Sequence, residues 1–229
     1  MNEYEQYVRT EWELFASDSR RGNNTLNEVS DLDVARVLDV GCGAGQELLP
    51  FVSGRNTLGV GVDVAPMAGQ IGRQLSAAHM PDARVSFVRA AAEALPFAAG
   101  SFDVAVCRLA LPYTHNANAL AEMARVLRPR GRLLLKIHHL RFYLNKLGQG
   151  LRARDILSMI HASRVIVAGA LYHCLGRQIR VRLISRETFL TEWLLRRELA
   201  KMDLTIRHEM PDSNPLTPSF SITKSARTG

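Results

Sequence analysis

Three glycines at alternate positions, Gly41, Gly43 and Gly45, close the run Asp39-Val40-Gly41-Cys42-Gly43-Ala44-Gly45. Glycine is needed where backbone turns through conformations closed to other residues, or approaches a ligand with no β-carbon between. An apolar stretch (36–40) precedes the loop and a helical one (46–52) follows. In an open α/β sheet this is where a ligand meets the backbone. A second apolar stretch (58–62) ends at Asp63, close to the spacing of about 20 residues at which an acid reaches ribose hydroxyls. A carboxylate there accepts hydrogen bonds from a vicinal diol and repels a 2′-phosphate. Together these residues predict an adenosine ligand with free ribose hydroxyls. The dinucleotide fingerprint GxGxxG would place glycine at Gln46, so a nicotinamide-dependent oxidoreductase is disfavoured.

Alternating strands and helices must position this loop. The patterning predicts strands at 36–40, 58–62, 85–88, 102–107 and 132–137, with helices at 46–52, 66–78 and 116–127 between them. That order implies right-handed crossovers. The expected fold is α/β: a Rossmann-like doubly wound sheet, mostly parallel with an antiparallel last strand, and helices on both faces. Ahead of it, Tyr4, Tyr7, Trp12 and Phe15 mark a helix over 3–16, followed by a polar loop at 17–24. Beyond 139 the alternation stops. A helix is expected over 155–171, a half-exposed strand over 178–183, a helix over 186–202, and closing strands at 204–208 and 219–223. We read one domain over 1–229, with an N-terminal lid (1–33), a cofactor-binding core (34–139), an insert covering the substrate pocket (140–185) and a closing helix and strands (186–229).

The chain has 229 residues, 47% of them hydrophobic and 22% charged, an ordinary soluble balance. No uninterrupted apolar run reaches the roughly 18–20 residues of a membrane span. The polar, acidic start lacks the features of a secretory signal. Three widely spaced cysteines argue against a disulfide framework or a zinc site, and a reduced, cytoplasmic setting follows. The net charge of +7, weighted to the later half, admits an anionic partner or simply a solvated face.

Val37-Leu38-Asp39-Val40-Gly41-Cys42-Gly43-Ala44-Gly45 resembles the first motif of class I methyltransferases that use S-adenosylmethionine (SAM). In order after it come Gly61-Val62-Asp63, Ala92-Glu93-Ala94-Leu95-Pro96-Phe97, Ser101-Phe102-Asp103-Val104-Ala105 and Glu122-Met123-Ala124-Arg125-Val126-Leu127-Arg128-Pro129-Arg130-Gly131. The last three resemble the branch of ubiquinone and menaquinone biosynthesis enzymes and many small-molecule methyltransferases. The resemblance covers about residues 34–138. It implies that Gly41, Cys42, Gly43 and Gly45 line SAM and that Asp39 orients the loop or binds the amino group through water. It implies further that Asp63 holds the ribose, Val64 packs on adenine, Ala92 and Glu93 meet the adenine edge, and Arg108 sits beside the methionine end. Ala91 stands where the family usually has an adenine-capping aspartate, and Arg130 interrupts the usual Pro-Gly-Gly turn.

Methyl transfer from a sulfonium requires alignment and exclusion of water. A base is needed only where the nucleophile must lose a proton. Tyr113 and His115 follow the fourth strand at the edge where substrate arrives, and are candidates for base or orienting group. Tyr7, Trp12, His138 and His139 are candidates for the substrate side. His138 and His139 are adjacent, point to opposite faces and cannot form a metal pair, so no metal is expected. The leading reading is transfer to an O, N or C atom of a small molecule, natural-product-like or quinone-like. The alternatives are an RNA methyltransferase, motivated by charge, and a non-catalytic partner protein, motivated by Ala91. No DNA partner is expected. A homodimer, and peripheral membrane contact through 155–171, are further expectations.

Overall fold

The computed structural model describes residues 3–179 and 187–226. Seven strands form one sheet: β1 (Arg36–Val40), β2 (Leu58–Asp63), β3 (Val85–Arg89), β4 (Phe102–Arg108), β5 (Leu127–Lys136), β6 (Leu204–Glu209) and β7 (Ser219–Lys224), in the order β3-β2-β1-β4-β5-β7-β6. The first five pair in parallel, and β7 runs antiparallel to both β5 and β6. Burial explains the order. β1 and β4 are buried on both faces and lie at the centre, as parallel strands covered on both sides must. In β4, Ala105 and Cys107 face one core layer while Val104 and Val106 face the other. The period of two thus serves two cores at once.

The first layer is built on α5 (Asn116–Val126) and α8 (Glu192–Ala200), through Leu120, Met123, Leu194, Leu195 and Leu199. The second collects Leu48, Phe51 and Met210 against Val37 and Leu134. α4 (Pro66–His79) follows β2, with proline opening its first turn. At the amino end, α1 (Glu3–Ser17) buries Val8 and Trp12 against Ala44 and Ile71.

Several local readings need correction. Residues 19–27 form a helix, α2 (Ser19–Asn27), rather than a loop, because Asp18 caps it by accepting from the Arg20 N–H. The helix after the glycine loop is a 3-10 turn (Gln46–Leu48) leading into the single turn α3 (Leu49–Val52), with Pro50 in that first turn. β5 begins five residues before the predicted strand, at Leu127. Its register shifts against β4, and Arg130 adopts a left-handed φ of 65°.

The 140–185 segment holds two antiparallel helices, α6 (Leu140–Ala153) and α7 (Ile156–Leu175), capped by His139 and Asp155. α7 outruns the predicted helix. It is also long and apolar enough to cross a membrane, which the sequence reading did not anticipate because His161, Arg164 and His173 interrupt the apolar run. Of the predicted strand at 178–183, Gln178 and Ile179 are not in a strand, and the rest lies outside the described residues. α8 starts six residues later than predicted. Thr191 caps it, while Thr188 and Leu190 spend their N–H groups on Pro112 and His138 carbonyls.

Candidate active site

The strand order reverses between β1 and β4, and ligands of open α/β sheets bind in the crevice beyond such a point. The glycine loop spans it. Gly41, Gly43 and Gly45 have φ of 71°, 53° and 81°, a left-handed backbone that side-chain-bearing residues resist. A β-carbon on Gly41 would lie 2.2 Å from the Ala110 β-carbon. The loop is therefore pressed against the segment that leaves β4. Asp63 ties it down from the other side. One carboxylate oxygen accepts from Gly43 N–H at 3.1 Å and the other from Ala65 N–H at 2.9 Å.

Three buried oxygens here lack a hydrogen-bond partner among the described residues: Asp39 Oδ2, Gln46 Oε1 and Glu47 Oε2. Burial first, then the nearby Glu47 and Asp63 carboxylates, pushes the Asp39 carboxyl well above the usual range. Below the loop runs a chain of charges. Arg21 pairs with Glu47. Arg108 lies 3.1 Å from Glu47 and pairs also with Asp212, which Lys136 meets at 3.2 Å. Burial and the neighbouring arginines lower Lys136 to about 8. Arg108 is thus committed to carboxylates of this chain. Sequence reasoning missed Glu47, Asp212 and Lys136, since their partners come from distant segments.

The predicted acceptor-side residues fall into two groups. His115 and His139 are helix caps: their ring Nδ1 atoms accept from Asn118 and Arg141 N–H groups. The Glu93 carboxylate accepts from the His115 N–H at 2.7 Å, at the start of α5. Trp12 is packed in the core, Ala92 lies partly buried on the sheet, and Val64 is exposed beside Asp63. Tyr113 and His138, in contrast, come together, edge to face with ring centroids 6.1 Å apart. Tyr7, exposed on α1, is close enough to Tyr113 to influence its ionisation.

His138 is buried and stacked on Phe142, with centroids 4.1 Å apart and rings parallel. Its Nδ1 lies 3.0 Å from the Tyr143 hydroxyl, which donates to Glu187 at 2.5 Å. The other Glu187 oxygen is 3.0 Å from His161 Nε2. Burial, then Lys146, lowers His138 to about 4. Burial, then Glu187, raises Tyr113 to about 12. No motif marks Tyr143, His161 or Glu187 in the sequence. A surface cavity of about 730 Å³, lined in part by Leu26, Phe51 and Thr57, opens at the amino ends of β1 and β2, away from this chemistry.

The fold and loop define a doubly wound α/β domain with a glycine loop at its ligand crevice. Residues 37–131 match the family described as a methyltransferase domain. The methyltransferase YcgJ of Bacillus subtilis (strain 168) is 37% identical over 105 residues, 45% of this chain and 41% of its own length. A ubiquinone/menaquinone biosynthesis C-methyltransferase of Hahella chejuensis is 39% identical over 104 residues, 44% of this chain and 42% of its own. The chain thus spans about two fifths of the length of these relatives. The magnesium protoporphyrin IX methyltransferase of Synechocystis, solved with bound S-adenosylhomocysteine, shares the fold at TM-score 0.62 and 16% identity, over 96% of this chain and 83% of its own. The match to the methyltransferase family thus covers the part of the chain that carries the glycine loop and β1–β4, and over that part the chain is similar to enzymes of the ubiquinone/menaquinone branch.

SAM is the methyl donor that the match to a methyltransferase domain implies, and the site's own features fit it. The loop residues Gly41, Cys42, Gly43 and Gly45, the Asp63 carboxylate, and the unpartnered Asp39 and Gln46 oxygens would hold it. When bound, it supplies an electrophilic methyl group on a sulfonium.

Proposed function

We propose that this chain is an enzyme that transfers the SAM methyl group to a small molecule held between α1, the turn Leu111–Tyr113 and the α6–α7 hairpin. One observation carries this reading. Gly41 of the cofactor loop abuts Ala110, and the next turn presents Tyr113 to His138. Donor loop and polar cluster therefore share one edge of the sheet. Likeness to quinone, sterol and fungal O-methyltransferases supports a small organic acceptor.

The α6–α7 hairpin supports an apolar acceptor. Leu151, Ile156, Leu157 and Ile160 are exposed around its turn, beside exposed Arg152 and Arg154. An apolar face rimmed by arginine suits an anionic lipid surface, from which such an acceptor would arrive.

Calorimetry with SAM tests the reading at its root. Binding in the micromolar range is expected. No heat at millimolar cofactor would sink it and favour a non-catalytic role.

A further inference from the structure

The Tyr143 hydroxyl has one proton, and that proton goes to Glu187. It cannot also serve His138 Nδ1, 3.0 Å away. Nδ1 must then carry its own hydrogen and donate to the Tyr143 oxygen. The neutral ring is left with its lone pair on Nε2, to which no described residue hydrogen-bonds. Resting on the methyltransferase reading, we propose that His138 is the catalytic base of this site, held in the Nδ1–H tautomer by a Tyr143–Glu187 relay, and that the acceptor atom is a hydroxyl oxygen.

The groups facing His138 agree with this role. Phe142, Tyr143 and Lys146 come from α6, Tyr113 from the turn after β4, and Glu187 from the run before α8, where its other oxygen meets His161 of α7. Phe142 fixes the ring plane by stacking. The Glu187 carboxylate, 3.9 Å from Nδ1, stabilises the imidazolium that forms when Nε2 takes a proton. As the acceptor O–H proton passes to Nε2, the oxygen bonds to the methyl carbon. The carbon–sulfur bond breaks, and its electron pair stays on sulfur as a neutral thioether. A carbon nucleophile or a preformed carboxylate would not need this base. A neutral alcohol or phenol does, and such assistance is worth about 10²–10⁴-fold. Tyr143 and Glu187 are positioning residues.

Long-range ¹H–¹⁵N correlation spectra of the labelled protein with S-adenosylhomocysteine, at pH 7, read the tautomer directly. His138 signals are assigned by their loss in His138→Gln. Protonated Nδ1 and bare Nε2 are expected, against the Nε2–H form that free histidine favours. Tyr143→Phe should return the ring to Nε2–H. Should that variant not fold, the wild-type spectrum decides alone. An Nε2–H ring in the wild type overturns the relay. Calorimetry on the same sample separates the two failures: absent S-adenosylhomocysteine binding overturns the methyltransferase reading itself, while binding with the Nε2–H tautomer overturns only the base.

Discussion

Asp63 and Gly41 show two different ways in which one residue holds a cofactor loop. Asp63 works by hydrogen bonding, and its two oxygens already restrain Gly43 and Ala65. Asp63→Ala should weaken S-adenosylhomocysteine binding by about 1–3 kcal/mol, roughly 5- to 150-fold, read by calorimetry. Gly41 works by absence. A methyl group there meets the Ala110 β-carbon at 2.2 Å and inherits a φ of 71°. Gly41→Ala should therefore lower the urea midpoint, and Ala110→Gly in the same chain should recover part of the loss by removing the clash while the backbone strain stays. Both residues were legible in sequence, because spacing alone names a loop glycine and its acidic partner. Glu187 was not. Its significance lies in touching Tyr143 and His161, which share no local pattern with it.

At the scale of elements, helix termini separate what pattern could predict from what it could not. The periodic interiors of α4, α5 and α7 were readable. α2 was missed because its residues are polar, and only the Asp18 cap announces it. The start of α8 was misplaced because residues 188 and 190 give their N–H groups to other segments, a long-range decision invisible to a local window. α1 is held by Trp12, 2% exposed, against Ala44 of the glycine loop. Trp12→Ala should cost about 3–5 kcal/mol of packing. It should also loosen α1, so S-adenosylhomocysteine affinity should fall along with the urea midpoint. At the hairpin, Leu157→Asp should abolish sedimentation with phosphatidylglycerol vesicles while leaving the midpoint unchanged, since Leu157 is 80% exposed.

For the whole molecule, acid sensitivity follows from the buried acceptor side. The His138 ring titrates near 4 when folded and near 6.5 when free. Its lowered value means that the unfolded chain binds the proton first. Stability is unaffected above about pH 6.5, falls as pH drops below it, and levels off below about 4. The total loss is about 3 kcal/mol from this group. Lys146 on the neighbouring helix adds to the effect, while Glu187 and the Tyr113 and Tyr143 hydroxyls surround the same ring. His138→Gln should flatten the urea midpoint between pH 6.5 and 4. A variant with the wild-type slope would show that another group governs acid unfolding.

The succession of strands and helices, the glycine loop and an acid at ribose spacing were legible in the sequence itself. They are local signals: periodicity, spacing, and residues whose backbone freedom has one use. The same loop implied the methyl donor before any contact was known. Only the tertiary structure decided the acceptor side. It turned His115 and His139 into helix caps, committed Arg108 to carboxylates, buried Trp12, and set His138 against Tyr143 and Glu187. The reason is physical. A donor-binding loop is built from one continuous stretch, whereas a base acquires its tautomer from partners that meet only when β4, β5, α6 and the run before α8 fold onto one edge.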